Sequence, residues 1–136
     1  RMNKQLVIKG LLLIPGLLML MSAIGFLVQP EQAVESLGMI LLDGIGRSSQ
    51  VGDMGAFFAC TAGFVFYGVA KTEPGPLYAS AALLISAAAY RIAAWLLHEA
   101  QFAAEFIAVE VVLFVWLVVL ARLMVLPGET SDNETD

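Results

Sequence analysis

Four stretches of this chain carry no charge, and the charges that flank them recur at one depth. Residues 10–30, 54–70, 74–90 and 111–121 contain no Asp, Glu, Lys or Arg. A hydrocarbon core about 30 Å thick takes about 20 helical residues to cross, and each stretch reaches that length once its flanks are added. The sequence therefore predicts an all-α, polytopic membrane protein, built as a four-transmembrane-helix bundle. Composition agrees. The chain is 60% apolar over 136 residues, which leaves room for four spans and short loops but none for a separate soluble domain. Helices that are apolar nearly all round are those of a buried or membrane-spanning element, not of a soluble surface.

The expected organisation is a single four-helix transmembrane domain over residues 1–128, followed by an acidic tail, 129–136. The tail holds Glu129, Asp132, Glu134 and Asp136 with no base, a composition that favours disorder. It contributes much of the net charge of −5, so that charge says little about partners, and no nucleic-acid partner is expected. Cys60 is the single cysteine. It has no partner for an internal disulfide or a metal site and is expected to pack as a small apolar residue. The basic start, Arg1, Lys4 and Lys9, resembles the n-region of a secretory signal. The apolar run after it is too long for an h-region and is interrupted by Pro15-Gly16, so it is expected to be retained as a span.

Span one is expected over about residues 5–28, kinked where Pro15 removes a backbone donor, and closed by Gln29-Pro30. Residues 31–49 form the one long connection. Ala33, Val34 and Leu37 give it a short apolar face before Gly38, which predicts a short interfacial helix between spans one and two, then a turn through Asp43-Gly44-Ile45-Gly46. Span two is expected from Ser48 or Ser49, either of which suits an N-cap, to Lys71. Glu73-Pro74-Gly75-Pro76 reads as a stiff turn. Span three then covers about residues 77–97 and span four about residues 102–126. Small residues recur at helical spacing in span two (Gly52, Ala56, Ala59, Gly63) and span three (Ala79, Ala82, Ser86, Ala89, Ala93), and such stripes are expected to let helices pack closely.

Charges inside spans are costly and call for partners. Arg91 lies seven residues before His98, roughly 10 Å along its helix from the outer end, and Glu110 lies nine residues after Gln101, roughly 13 Å from the same end. Asp53 enters span two from that side as well. Three helices thus deliver one base and two acids to one layer. Glu105 and Glu110, five residues apart, point about 140° apart on a helix, so they do not share a partner. Glu110, the deeper of the two, is the mate expected for Arg91, whose guanidinium can fork two bonds to one carboxylate. His98 and Trp95 follow Arg91 toward the outer end, and Arg47 lies in the outer loop. The candidate polar cluster is therefore Asp53, Arg91, Glu110, Glu105, His98, Arg47 and Trp95. Phe57, Phe58, Phe64, Phe66 and Tyr67 crowd span two, a density that suits either a flat apolar ligand or lipid-facing packing. No nucleophile elbow, HExxH, CxxC or phosphate loop is present, and one histidine excludes bis-histidine haem ligation within the chain. No catalytic residue, metal or cofactor is expected.

Placed on these elements, the chain resembles the DoxX-like four-helix membrane proteins, and within them the bacterial family catalogued as domain of unknown function 4345. The resemblance rests on Leu27-Val28-Gln29-Pro30 closing span one, Leu37-Gly38, Arg47, the start Gly52-Asp53-Met54-Gly55, Arg91 late in span three and Glu110 in span four, over roughly residues 5–125. It implies a four-span fold in the bacterial inner membrane without an established activity. Some DoxX relatives serve sulfur or thiol oxidation as subunits of larger assemblies, and no residue here carries that chemistry over.

Two functions stay open on the sequence. One is a small accessory or scaffold subunit of a larger membrane assembly or homo-oligomer, or a binder of a lipid or quinone-like ligand, with a polar site near the outer face. The other is a membrane enzyme, or a proton-coupled transport or redox subunit, using Arg91, Glu110 and Asp53. Lys4, Lys9, Lys71 and Arg122 fall on one side of the spans, which puts both termini in the cytoplasm. Single cysteines introduced as Ser36→Cys and Thr130→Cys into a Cys60→Ala background should therefore label from opposite sides of the membrane in intact cells. Labelling of both from outside overturns the orientation.

Overall fold

The computed structural model describes residues 3–126. The acidic tail therefore lies outside the described residues. Helix α1 runs Lys4–Val28, α2 Pro30–Ser36, α3 Gly44–Ser49, α4 Gly55–Lys71, α5 Pro74–Leu97 and α6 Ala104–Val125. A single π-helical turn, Gln50–Met54, joins α3 to α4, so 44–71 is one continuous helix. With α1, α5 and α6 it makes four helices long and apolar enough to cross a membrane. Each long helix contacts two others, in the closed order α1, α4, α5, α6 and back to α1.

The core is a stripe from each helix. Ile8, Leu12, Met19 and Phe26 come from α1, Thr61, Ala62 and Val65 from α4, Leu77, Ala81, Leu84 and Ala88 from α5, and Leu113, Leu117, Ala121 and Met124 from α6. The steps of three and four keep each set on one side of its helix. Many of the remaining apolar side chains on these helices are exposed, including Met21, Leu27, Tyr90 and Val112. Polar groups in the contacts are closed locally. Thr61 donates to the Phe57 carbonyl at 2.7 Å, and Ser80 donates across to the Thr61 carbonyl at 2.9 Å. Both side chains are fully buried.

The small-residue stripes do not make these contacts, contrary to expectation. Gly52, Ala56, Ala59 and Gly63 are exposed, and so are Ala82, Ser86 and Ala89. A Cβ on Gly63 would meet nothing within 4 Å. The close approaches sit elsewhere. A Cβ on Gly16 would stand 2.9 Å from Val65 Cγ1, and one on Gly68 would stand 2.8 Å from Leu77 Cγ and 2.9 Å from the Glu73 carbonyl oxygen. Cys60 is likewise exposed, not packed.

Two helix starts differ from the sequence reading. Helix α5 begins at Pro74, so Pro74 and Pro76 form its first turn, where a missing N–H costs nothing. The second long helix begins at Gly44, ahead of Ser48 and Ser49, which lie inside it. Asp43 is extended (φ −102°, ψ 164°) at its N-cap. The early start is held by side chains instead of a serine cap: Arg47 pairs with Asp43 at 2.8 Å and donates to the Leu42 carbonyl, and Gln50 accepts from Leu42 N–H and donates to the Ile40 carbonyl. The short helix between spans one and two is present as α2, with Val34 fully buried. It ends at Gly38 (φ 75°), where Met39 N–H reaches back to the Val34 carbonyl at 3.0 Å, a closure that favours glycine in the left-handed region.

At the opposite end of the bundle, Gln5 donates to the Met124 carbonyl at 2.9 Å and Lys9 Nζ to Thr72 Oγ1 at 2.6 Å. These bonds tie the start of α1 to the end of α6 and to the α4–α5 turn. Midway along, α1 continues through Pro15. Proline has no N–H, so the carbonyl of Leu11, four residues earlier, loses its helical donor. Trp116 of α6 supplies it: its indole N–H donates to Leu11 O at 3.0 Å. Trp116→Phe should therefore cost about 1 kcal/mol of bundle stability. In a Pro15→Ala background, where Leu11 regains its own donor, the same change should cost measurably less. Denaturant unfolding of the four proteins of this cycle checks it; equal losses in both backgrounds overturn the assignment.

Candidate functional site

Glu110 continues the core stripe of α6 one step beyond Leu113, and Arg91 continues that of α5 one step beyond Ala88. Because α5 and α6 are antiparallel neighbours joined by residues 98–103, the two side chains meet. Arg91 Nε donates to Glu110 Oε1 at 2.8 Å. The side chain of Glu110 is 11% exposed and that of Arg91 28%. The guanidinium carbon of Arg91 also stands 4.7 Å from the centre of the Phe106 ring, within cation–π range. The expected fork is not made. One bond joins the pair, and Glu110 Oε2 is buried without a hydrogen-bond partner.

The pair lies on the wall of a cavity of about 490 Å³ between α1, the π-turn, α4, α5 and α6. Asp53, Ser22, Arg91 and Glu110 are its polar lining; the rest is apolar, with Phe57, Phe58, Leu84 and Leu113 prominent. Asp53 belongs to the π-turn. It is exposed, and among the described residues it forms no ion pair. A π-turn opens one residue of extra width in a helix and is frequent at functional sites. A second cavity of about 510 Å³ lies toward the α2 end and is lined by Gly38, Gln101, Ala104 and Glu105. Leu37, Arg91 and Phe106 line both. A third, of about 310 Å³ between α1 and α2, shares Ser22, Leu37 and Phe58 with the first. Leu37, at the C-cap of α2, therefore stands where three cavities adjoin.

Of the seven candidates, Asp53, Arg91 and Glu110 share the first cavity. Glu105 is exposed and lines the second, without a bond to Arg91. Trp95 is half exposed and packs edge-on against Phe102, ring centres 5.1 Å apart. His98 is exposed as the C-cap of α5. Arg47 is engaged with Asp43 and Leu42 in the loop clamp and lines none of these cavities. The aromatic crowd divides: Phe57 and Phe58 line the cavity, in edge contact with ring centres 5.3 Å apart, whereas Phe64 and Tyr67 face outward. Leu37 was not among the expected site residues. Its signal was its place just before a left-handed glycine at a helix end, which aims the chain back over the bundle. No grouping of three or more His, Cys, Asp or Glu able to hold a metal occurs among the described residues. No family model, curated protein or solved structure matches the chain.

Breaking one side of a buried ion pair strands the other charge. Arg91→Ala or Glu110→Ala should each lower unfolding stability by about 3 kcal/mol, the low end for buried pairs because Arg91 keeps some exposure. The double variant Arg91→Met with Glu110→Leu should regain most of that loss. Unfolding in denaturant measures all three, and a double variant as unstable as the singles overturns this account.

Proposed function

We propose that this chain is an integral membrane protein that holds a small apolar ligand, lipid or quinone-like, at the Arg91–Glu110 pair. The observation that carries the reading is the cavity itself. At about 490 Å³ it falls within the range of about 300–1,000 Å³ usual for small-molecule sites, and it joins an apolar wall to a few convergent polar groups, as such sites do. An ion pair placed only to fix helix rotation has no need of an adjoining void.

Membrane residence draws on the four long apolar helices and their exposed Leu, Val, Met and Ile side chains, since a continuous apolar exterior needs an apolar solvent. Lys4, Lys9, Lys71 and Arg122 at one end favour both termini in the cytoplasm of a bacterial inner membrane, the setting that the DoxX-like resemblance also implies. Asp53, Arg91 and Glu110 then sit toward the outer leaflet.

The test is native mass spectrometry of the protein extracted from its membrane into nanodiscs. Wild type should carry a small-molecule adduct that the folded Arg91→Met, Glu110→Leu double variant lacks. Equal adducts on both proteins, or none on either, would falsify a ligand site at the pair.

A further inference from the structure

One charge on the cavity wall is left over. Arg91 and Glu110 offset each other across 2.8 Å, which leaves Asp53 as the uncompensated charge among the lining residues. Asp53 is exposed and, among the described residues, forms no ion pair, so an occupant of the cavity can reach its carboxylate. Ser22, the other polar group there, donates its hydroxyl proton to the Leu18 carbonyl at 3.1 Å and has only lone pairs left to offer. Both groups therefore accept, and the sum of charges decides what should donate to them. A phosphate or carboxylate head meets Arg91, whose charge Glu110 already offsets, and adds a second uncompensated negative charge to a largely apolar lining. A neutral head leaves the first one in place; a positive head cancels it. A bare metal ion does not suit the wall. Hard cations such as calcium take about six or more oxygen ligands, and no grouping of three or more His, Cys, Asp or Glu able to hold a metal occurs among the described residues. An ammonium needs only one carboxylate. The neighbours of Asp53 suit it as well. Phe57 and Phe58 follow about one turn further along the helix and line the same cavity, and aromatic faces attract cations at close range.

Resting on the ligand-binding reading above, we infer that the cavity takes an amine-headed amphiphile of net positive charge. Its ammonium N–H donates to the Asp53 carboxylate, and its apolar tail lies against Met19, Leu84 and Leu113. That chemistry belongs equally to a glycerolipid carrying an esterified amino acid and to a free long-chain amine, and the probes below separate the two. The full-length protein, in phosphatidylcholine nanodiscs, is exposed to matched diazirine-bearing probes of one chain length: an alkylamine, a β-alanyl monoacylglycerol, an unmodified monoacylglycerol and an alkyl phosphate. Labelled residues are mapped by peptide mass spectrometry, and cavity labelling is scaled to that of the outward-facing Leu27 and Val28, which corrects for partition into the bilayer. At least one amine probe should label the cavity residues about tenfold more than the uncharged or the phosphate probe, the scale of one hydrogen bond to a charged group. Asp53→Asn should abolish that preference while labelling by the uncharged probe persists. The stronger of the two amine probes identifies the source. Cavity labelling that is indifferent to head group, that is strongest with the uncharged or the phosphate probe, or that keeps its amine preference in Asp53→Asn overturns the inference and leaves the ligand site standing. No labelling of the cavity by any probe overturns the ligand site itself.

Discussion

An ion pair set in the core stripe of two apolar helices constrains everything around it. Leu or Ala at positions 91 and 110 would tolerate a range of helix rotations, because dispersion has no direction. A guanidinium and a carboxylate do not, since either charge turned away from the other is left in an apolar interior. The 2.8 Å contact between them therefore fixes how α5 and α6 face each other at the α2 end. At the far end the same pair of helices is set by plain packing of Leu77 and Ala121 with their neighbours. The short connection at 98–103 makes α5 and α6 antiparallel neighbours, and the pair then sets how they are turned toward each other.

The four long helices, the short α2 and the meeting of Arg91 with Glu110 were readable from spacing alone, because each rests on a one-dimensional pattern: runs without charge, a proline before a short apolar face, equal distances from a turn. What depended on rotation about the helix axis was read less well. The glycine and alanine stripes of α4 and α5 have the spacing of an interface, yet they point outward, and Gly16 and Gly68 make the close approaches. Spacing tells which residues share a face; it does not tell which face is covered. The single bond between Arg91 and Glu110, and the void beside it, were likewise out of reach, since a cavity is the residue of packing among five elements at once. The start of the second long helix was misplaced because Ser48 and Ser49 look like caps, whereas the bonds that decide it come from Arg47 and Gln50 to a loop behind them.

The π-turn reconciles two demands on one helix. Ahead of it, α3 must keep Arg47 over the loop at 40–43, where Gln50, the first residue of the turn, also bonds. Behind it, α4 must keep Thr61, Ala62 and Val65 against α1 and α5. These faces need not agree in a strict 3.6-residue period. One widened turn absorbs the difference and sets Asp53 on the cavity wall as it does so. Leu37, from the segment between α1 and α3, lines the same cavity.

The bond from Trp116 to the Leu11 carbonyl also has a meaning in time. A ribosome releases the chain from its N-terminus, so α1 emerges with a backbone acceptor that its own sequence leaves without a donor. The group that answers it is 105 residues away, on α6. Until α6 is made, the Leu11 carbonyl has no donor from Trp116, and the same helix that supplies it also closes the ring against α1.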